Sequence, residues 1–130
     1  MRISLLLTLL AFCISLSNCK NEEKKPACVP PKVEMTPNSD TKWHSLCVTC
    51  HGKNGRGDGP AGRNLDPGPR DFASAEWQKS MSDAAIMEII VKGGLAVGKS
   101  KDMPPSPELE GHTKDLESLV RKIRSLGECQ

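Results

Sequence analysis

A chain of 130 residues holds one domain with extensions, and its net charge of +2, with no basic run among aromatics, argues against a nucleic-acid partner. Aromatic residues make up 3% of it beside 11 glycines and 10 prolines, so large core-forming side chains are scarce. Small domains are marginal even with ordinary cores, and this one calls for a supplementary source of buried apolar surface.

Residues 1–18 read as an export signal: Arg2, then an apolar run from Ile3 to Leu16. That run is 14 residues, short of the roughly 20 that span a bilayer as a helix. It is expected to be removed on export. Leu16-Ser17-Asn18-Cys19 resembles a bacterial lipobox, whose cysteine is lipidated and becomes the mature N-terminus; Asn18 stands where Gly, Ala or Ser is usual. The expected address is the periplasmic side of a bacterial membrane, lipid-anchored at Cys19, with a soluble periplasmic protein as the alternative. Residues 19–38 are charged and carry Pro26, Pro30, Pro31 and Pro37 without helical or strand periodicity. They form a linker able to reach roughly 60 Å when extended.

The domain is expected over 39–130. A first helix starts near Ser39 or Asp40, either of which can cap it. Trp43, Leu46, Cys47 and Cys50 then fall at i, i+3, i+4 and i+7 as one apolar stripe, and Gly52 closes the helix. At its end stands Cys47-Val48-Thr49-Cys50-His51. Two cysteines three apart, followed at once by histidine, form the attachment pattern for c-type haem. One helical turn sets both thiols against the two vinyl groups, and the next residue brings an imidazole under the iron. In a cytosolic chain the same cysteines could serve zinc or dithiol chemistry; the export signal argues for haem. A covalent macrocycle would also supply the missing core.

Residues 52–72 hold six glycines and three prolines and read as a loop wrapping one haem edge. Ser74 is expected to cap a short helix carrying Trp77. Ser82 and Asp83 start a stronger one, with Ile86, Ile89 and Ile90 apolar and Gly93-Gly94 at its end. Residues 95–111 are loop again, containing Met103-Pro104-Pro105. Thr113 is expected to cap a last helix burying Leu116, Leu119, Val120, Ile123 and Leu126, ended by Gly127.

Trp43 ahead of CVTCH, Gly59-Pro60 in the following loop, Met103-Pro104 and a terminal LVRKIRSL helix come in an order and spacing that resembles class I (monohaem) cytochromes c. The likeness runs from about Asp40 to Leu126. It departs at two places: Ser39 stands where the family often has glycine, and Lys122 stands where its terminal helix often carries an aromatic. The insert with its PRDF stretch is similar to modules that accompany respiratory oxidases and periplasmic dehydrogenases.

The resemblance implies an all-α fold, three to five helices around one covalently bound haem c, with Cys47 and Cys50 as attachment points. It makes His51 the proximal ligand and the Pro60 carbonyl the acceptor for its second ring nitrogen. Met103 is the expected distal ligand, since the other methionines lie in the leader, the linker or helical sequence. His112 is the runner-up, and His44 is expected to be exposed. Arg70 and Trp77, following the loop, are candidates to hold the haem propionates, against the plainer readings of a solvated arginine and a core tryptophan. The implied function is single-electron transfer in a respiratory or periplasmic chain, not enzymatic catalysis. Oxidase, dehydrogenase or small-carrier partners would dock at the haem edge. The alternative is a peroxidase-like haem enzyme or sensor with a displaceable sixth ligand, for which only Asp102 or Glu108 offers an acid–base group. With Cys13 removed, Cys19 lipidated and the motif cysteines bonded, Cys28 and Cys129 remain. The family fold brings both chain ends to one side, so the two can pair in an oxidising compartment.

Overall fold

In the computed structural model, which describes residues 29–128, the chain enters its first helix at Thr36. Helix α1 (Pro37–Lys42) is capped by the Thr36 hydroxyl, which accepts from the Ser39 N–H at 3.2 Å. The cap therefore lies upstream of the expected Ser39 or Asp40. Pro37 explains the shift: its fixed φ suits the first helical position, where an N–H has no partner anyway. Ser39 turns inward instead and is wholly buried. The export signal, Cys19, Cys28 and Cys129 lie outside the described residues.

A single π turn (Trp43–Cys47) continues α1 into α2 (Val48–His51), which ends at Gly52 with φ 77°. The i→i+5 repeat of a π turn rotates the residues that follow it. Consequently Trp43 is 2% exposed while Leu46 is 39% exposed, and the expected single stripe is broken at Leu46.

Helix α3 (Ala75–Ser80) is capped by Ser74, whose hydroxyl accepts from the Trp77 N–H at 3.3 Å. Helix α4 (Asp83–Ala96) is capped by Ser82 through the Ala85 N–H at 3.1 Å, and Gly93 breaks it with φ 76°. Both caps fall where the local sequence puts them. A 3₁₀ turn (Pro107–Leu109) leads to α5 (Thr113–Leu126). There His112, not Thr113, holds the cap position, and Thr113 is the first helical residue. No strand occurs among the described residues, so the fold is all-α as expected.

The apolar face of α5 is buried, and Leu119 and Leu126 there, with Trp43 and Leu109, are the most enclosed large side chains. Helix α5 crosses α1 through Ser39 and Ser118, both 0% exposed, so small side chains permit a close approach. Beside them the Lys122 ammonium lies 5.7 Å from the Trp43 ring centroid. A cation thus lies over an aromatic face at this crossing.

Candidate haem-attachment site

Residues 52–72 are fastened onto the end of α2 by main-chain hydrogen bonds. The Gly57 N–H donates to the His51 carbonyl at 2.9 Å, the Gly59 N–H to Cys50 at 3.1 Å and the Ala61 N–H to Thr49 at 2.9 Å. These are carbonyls that a helix end leaves without partners. Small residues are required here: a Cβ at Gly59 would stand 2.5 Å from the Thr49 carbonyl oxygen. Pro60 is carried in this tight turn beside the helix end, exposed to solvent.

The ring of His51 faces elsewhere. Its Nδ1 lies 3.4 Å from the carbonyl oxygen of Arg70, whereas the family resemblance points to the carbonyl of Pro60. The Gly59 and Ala61 bonds keep the turn that carries Pro60 at the end of α2, while the later part of the loop brings the Arg70 carbonyl to the imidazole. Burial holds His51 below its usual pKa, opposed by the bond to Arg70. The neutral form is the one that ligates metal, and a donor hydrogen bond at Nδ1 leaves Nε2 free to do so.

Phe72 stacks on the imidazole, with ring centroids 4.3 Å apart and an interplanar angle of 18°. Trp77 leans on Phe72 at 5.0 Å and 38°. The Phe72 main chain is held from behind: its N–H donates to Gly55 at 2.7 Å, and its carbonyl accepts from Gln78 Nε2 at 2.7 Å. Gln78 also donates to the Ile123 carbonyl at 2.9 Å. Arg124 fixes Gln78 in turn, donating to its main-chain carbonyl and its Oε1 at 2.7 and 2.8 Å. The same guanidinium reaches Asp83 Oδ1 and the Met81 carbonyl. A chain of contacts thus runs from α5 to His51. Phe72, Gln78 and Arg124 escaped the sequence reading; a lone aromatic in a glycine–proline loop was the one available signal.

The thiols of Cys47 and Cys50 are unbridged and half-buried. Burial pushes Cys47 up to about 11, against the opposing charge of Lys42. Met103 sits beyond α4, half-buried against the core, as do Cys47, Val48, Trp77, Met87 and Val91. The Arg70 side chain is exposed, and Trp77 is half-buried. His112 is a surface group 3.6 Å from Asp115, and His44 one 3.6 Å from Asp40. Asp102 is engaged by Lys101 and Ser100, and Glu108 pairs with Lys42. A groove of about 660 Å³ between Pro31, Met87 and Arg121 borders the Arg124–Asp83 contact and includes neither motif cysteine, nor His51, nor Met103.

The donor set therefore fits a c-type haem: two unbridged thiols one turn apart, a neutral imidazole oriented by a main-chain carbonyl, and half-buried apolar side chains a macrocycle can cover. Fold and motif together define a small all-α haem protein with covalent attachment. The cytochrome c family model matches residues 41–126, and the chain belongs to that family. Its cofactor is accordingly a covalently bound haem c, held at Cys47 and Cys50. No curated protein gives a match.

Proposed function

We propose that the protein is a single-electron carrier of a respiratory or periplasmic chain, with His51 and Met103 as the axial ligands. Haem-based electron transfer is the work of the family. The finer reading rests chiefly on one observation, the imidazole turned by the Arg70 carbonyl so that Nε2 is left for iron. The haem supplies the one-electron ferric/ferrous couple; the chain supplies ligands, a fixed geometry and exclusion of water. His51 is clamped between a carbonyl and the Phe72 ring, so little has to rearrange when the charge changes. A thioether favours the ferrous state and raises the potential, which suits a carrier.

Partners of the oxidase, dehydrogenase or small-carrier kind would dock weakly at the haem edge, as transient redox encounters do. Asp102 pairs with Lys101 and Glu108 with Lys42, so both carboxyls considered for acid–base chemistry are engaged, which weighs against a peroxidase-like role. The protein would work outside the cytoplasm, tethered through a lipid on Cys19. No helix among the described residues is long and apolar enough to cross a membrane.

The ligand reading is tested in the ferric holoprotein by the sulfur-to-iron charge-transfer band. Met103→Ala should keep covalent haem, lose the band and lower the potential. A band unchanged in that variant would rule Met103 out.

A further inference from the structure

The segment that offers Met103 rests on the broken end of α4, where two glycines stand in succession. A Cβ at Gly93 would lie 2.8 Å from the Pro105 nitrogen and 3.0 Å from the Met103 carbonyl oxygen. The fit is closer at Gly94, where a Cβ would lie 2.1 Å from the Ser100 carbonyl oxygen and 3.3 Å from Met103 Cβ.

Hydrogen bonds fasten the same place. The Gly94 N–H donates to the Met103 carbonyl at 3.0 Å, and the Gly94 carbonyl accepts from the Lys99 N–H at 2.8 Å. Beyond the prolines, the Ser106 N–H donates to the Ile90 and Val91 carbonyls at 2.9 and 3.1 Å. Pro104 and Pro105 have no N–H, so between Met103 and Ser106 the main chain has no donor with which to fasten itself. The height of Met103 over α4 is therefore set by Gly94 on one side and Ser106 on the other.

We propose that Gly94 is a positioning residue for the distal ligand: lacking a side chain, and bonded to both Met103 and Lys99, it seats the Ser100–Met103 segment directly on α4. This rests on the reading of Met103 as ligand. With alanine at 94 the segment must retreat until its contact with Ser100 reaches the 3.0 Å that real Cβ atoms keep. Methionine ligation depends on that placement, whereas haem attachment at Cys47 and Cys50 does not. Gly98 provides the control. It sits on the turn after α4 with φ +69°, and a Cβ there would meet nothing within 4 Å. Alanine at 98 thus strains the backbone without pressing on the Met103 segment.

The experiment compares four ferric holoproteins, each matured with covalent haem: wild type, Met103→Ala, Gly94→Ala and Gly98→Ala. The readouts are the sulfur-to-iron charge-transfer band and the rate of imidazole binding. Gly94→Ala should keep covalent haem, lose most of the band and bind imidazole about tenfold faster, the scale on which overpacking a tight contact acts. Gly98→Ala should match wild type in both. If Gly94→Ala yields no holoprotein, Lys99→Pro deletes the N–H held by the Gly94 carbonyl and should weaken the band and speed imidazole binding in the same direction. A band lost in Met103→Ala but intact in Gly94→Ala, with imidazole binding as in wild type, would overturn the seat while leaving the ligand standing. A wild type without the band, or a Met103→Ala that keeps it, would overturn the ligand reading and this proposal with it.

Discussion

Ser39 and Ser118 meet hydroxyl to hydroxyl at 2.8 Å, both wholly buried, where α1 crosses α5. Thr36 closes the group: its N–H donates to Ser118 Oγ at 3.2 Å, and its hydroxyl donates within reach of Ser39 Oγ at 2.7 Å and Asp115 Oδ1 at 2.5 Å. Ser118→Ala leaves the Thr36 N–H without that partner, which should cost about 1–2 kcal/mol. Ser39→Ala should cost a similar amount, and the double variant less than the sum, because the two hydroxyls satisfy each other. Urea denaturation of the four proteins measures the coupling; strict additivity would mean the pair contributes nothing jointly.

Asp115 should make this corner sensitive to acid. Hydrogen bonds from Asn38 at 2.7 Å and Thr36 hold its carboxyl below the usual range, helped by the nearby His112. A depressed folded pKa stabilises above the unfolded value, about 3.9, and that stabilisation is lost as the pH falls through the folded pKa. Wild type should therefore melt above Asp115→Asn at neutral pH by a margin that is steady down to about pH 5 and closes below about pH 4. Melting curves at a series of pH values decide it, and a margin unchanged in acid would refute the assignment.

Arg124 ties α5 to the α3–α4 corner through Gln78, Met81 and Asp83. Arg124→Ala should cost about 2–3 kcal/mol, the range for hydrogen bonds to a charged group. Arg124→Lys should recover only part of it, since a single ammonium cannot reproduce the guanidinium's fork of bonds to Gln78, Met81 and Asp83. Because Gln78 holds the Phe72 carbonyl, the alanine variant should also broaden the spectroscopic signature of the proximal histidine. A stable variant with that signature unchanged would separate the clamp from the site.

Gly59→Ala tests the fastening of the loop. Its Cβ would meet the Thr49 and Val48 carbonyl oxygens at 2.5 and 2.6 Å. Relief requires backbone movement, at roughly 1–3 kcal/mol. A thermal midpoint equal to wild type would show that the loop gives way freely.

The anchor is tested by fractionation. If Cys19 carries lipid, the mature protein should sediment with membranes and Cys19→Ser should release it or block processing, since paired acyl chains suffice for stable attachment. A wholly soluble wild type whose N-terminus begins elsewhere would exclude it.

What the sequence made legible was local. Ser74 and Ser82 cap helices because a hydroxyl reaches an N–H three residues on, and the face of α5 follows from its spacing. The CVTCH motif likewise carries its own geometry. What escaped depends on chain path. The bond of His51 to Arg70 spans 19 residues of aperiodic loop, and Ser118 looks like a surface serine until Ser39 is set against it. Leu46 was misplaced because a π turn shifts the helical register without any residue announcing it.

The acceptor that orients His51 is a peptide carbonyl, and this divides the ways the site can change over time. A carbonyl is present whatever residue stands at position 70, so selection on this bond is blind to the side chain there. It acts instead on the distance along the chain between the fastened turn at Gly59 and the return at Arg70. Point substitutions at 70 should pass unnoticed by the proximal histidine, while the loss or gain of one residue between Ala61 and Pro69 should turn a different carbonyl, or none, toward the ring. The inheritance of this part of the site lies in the length of its loop.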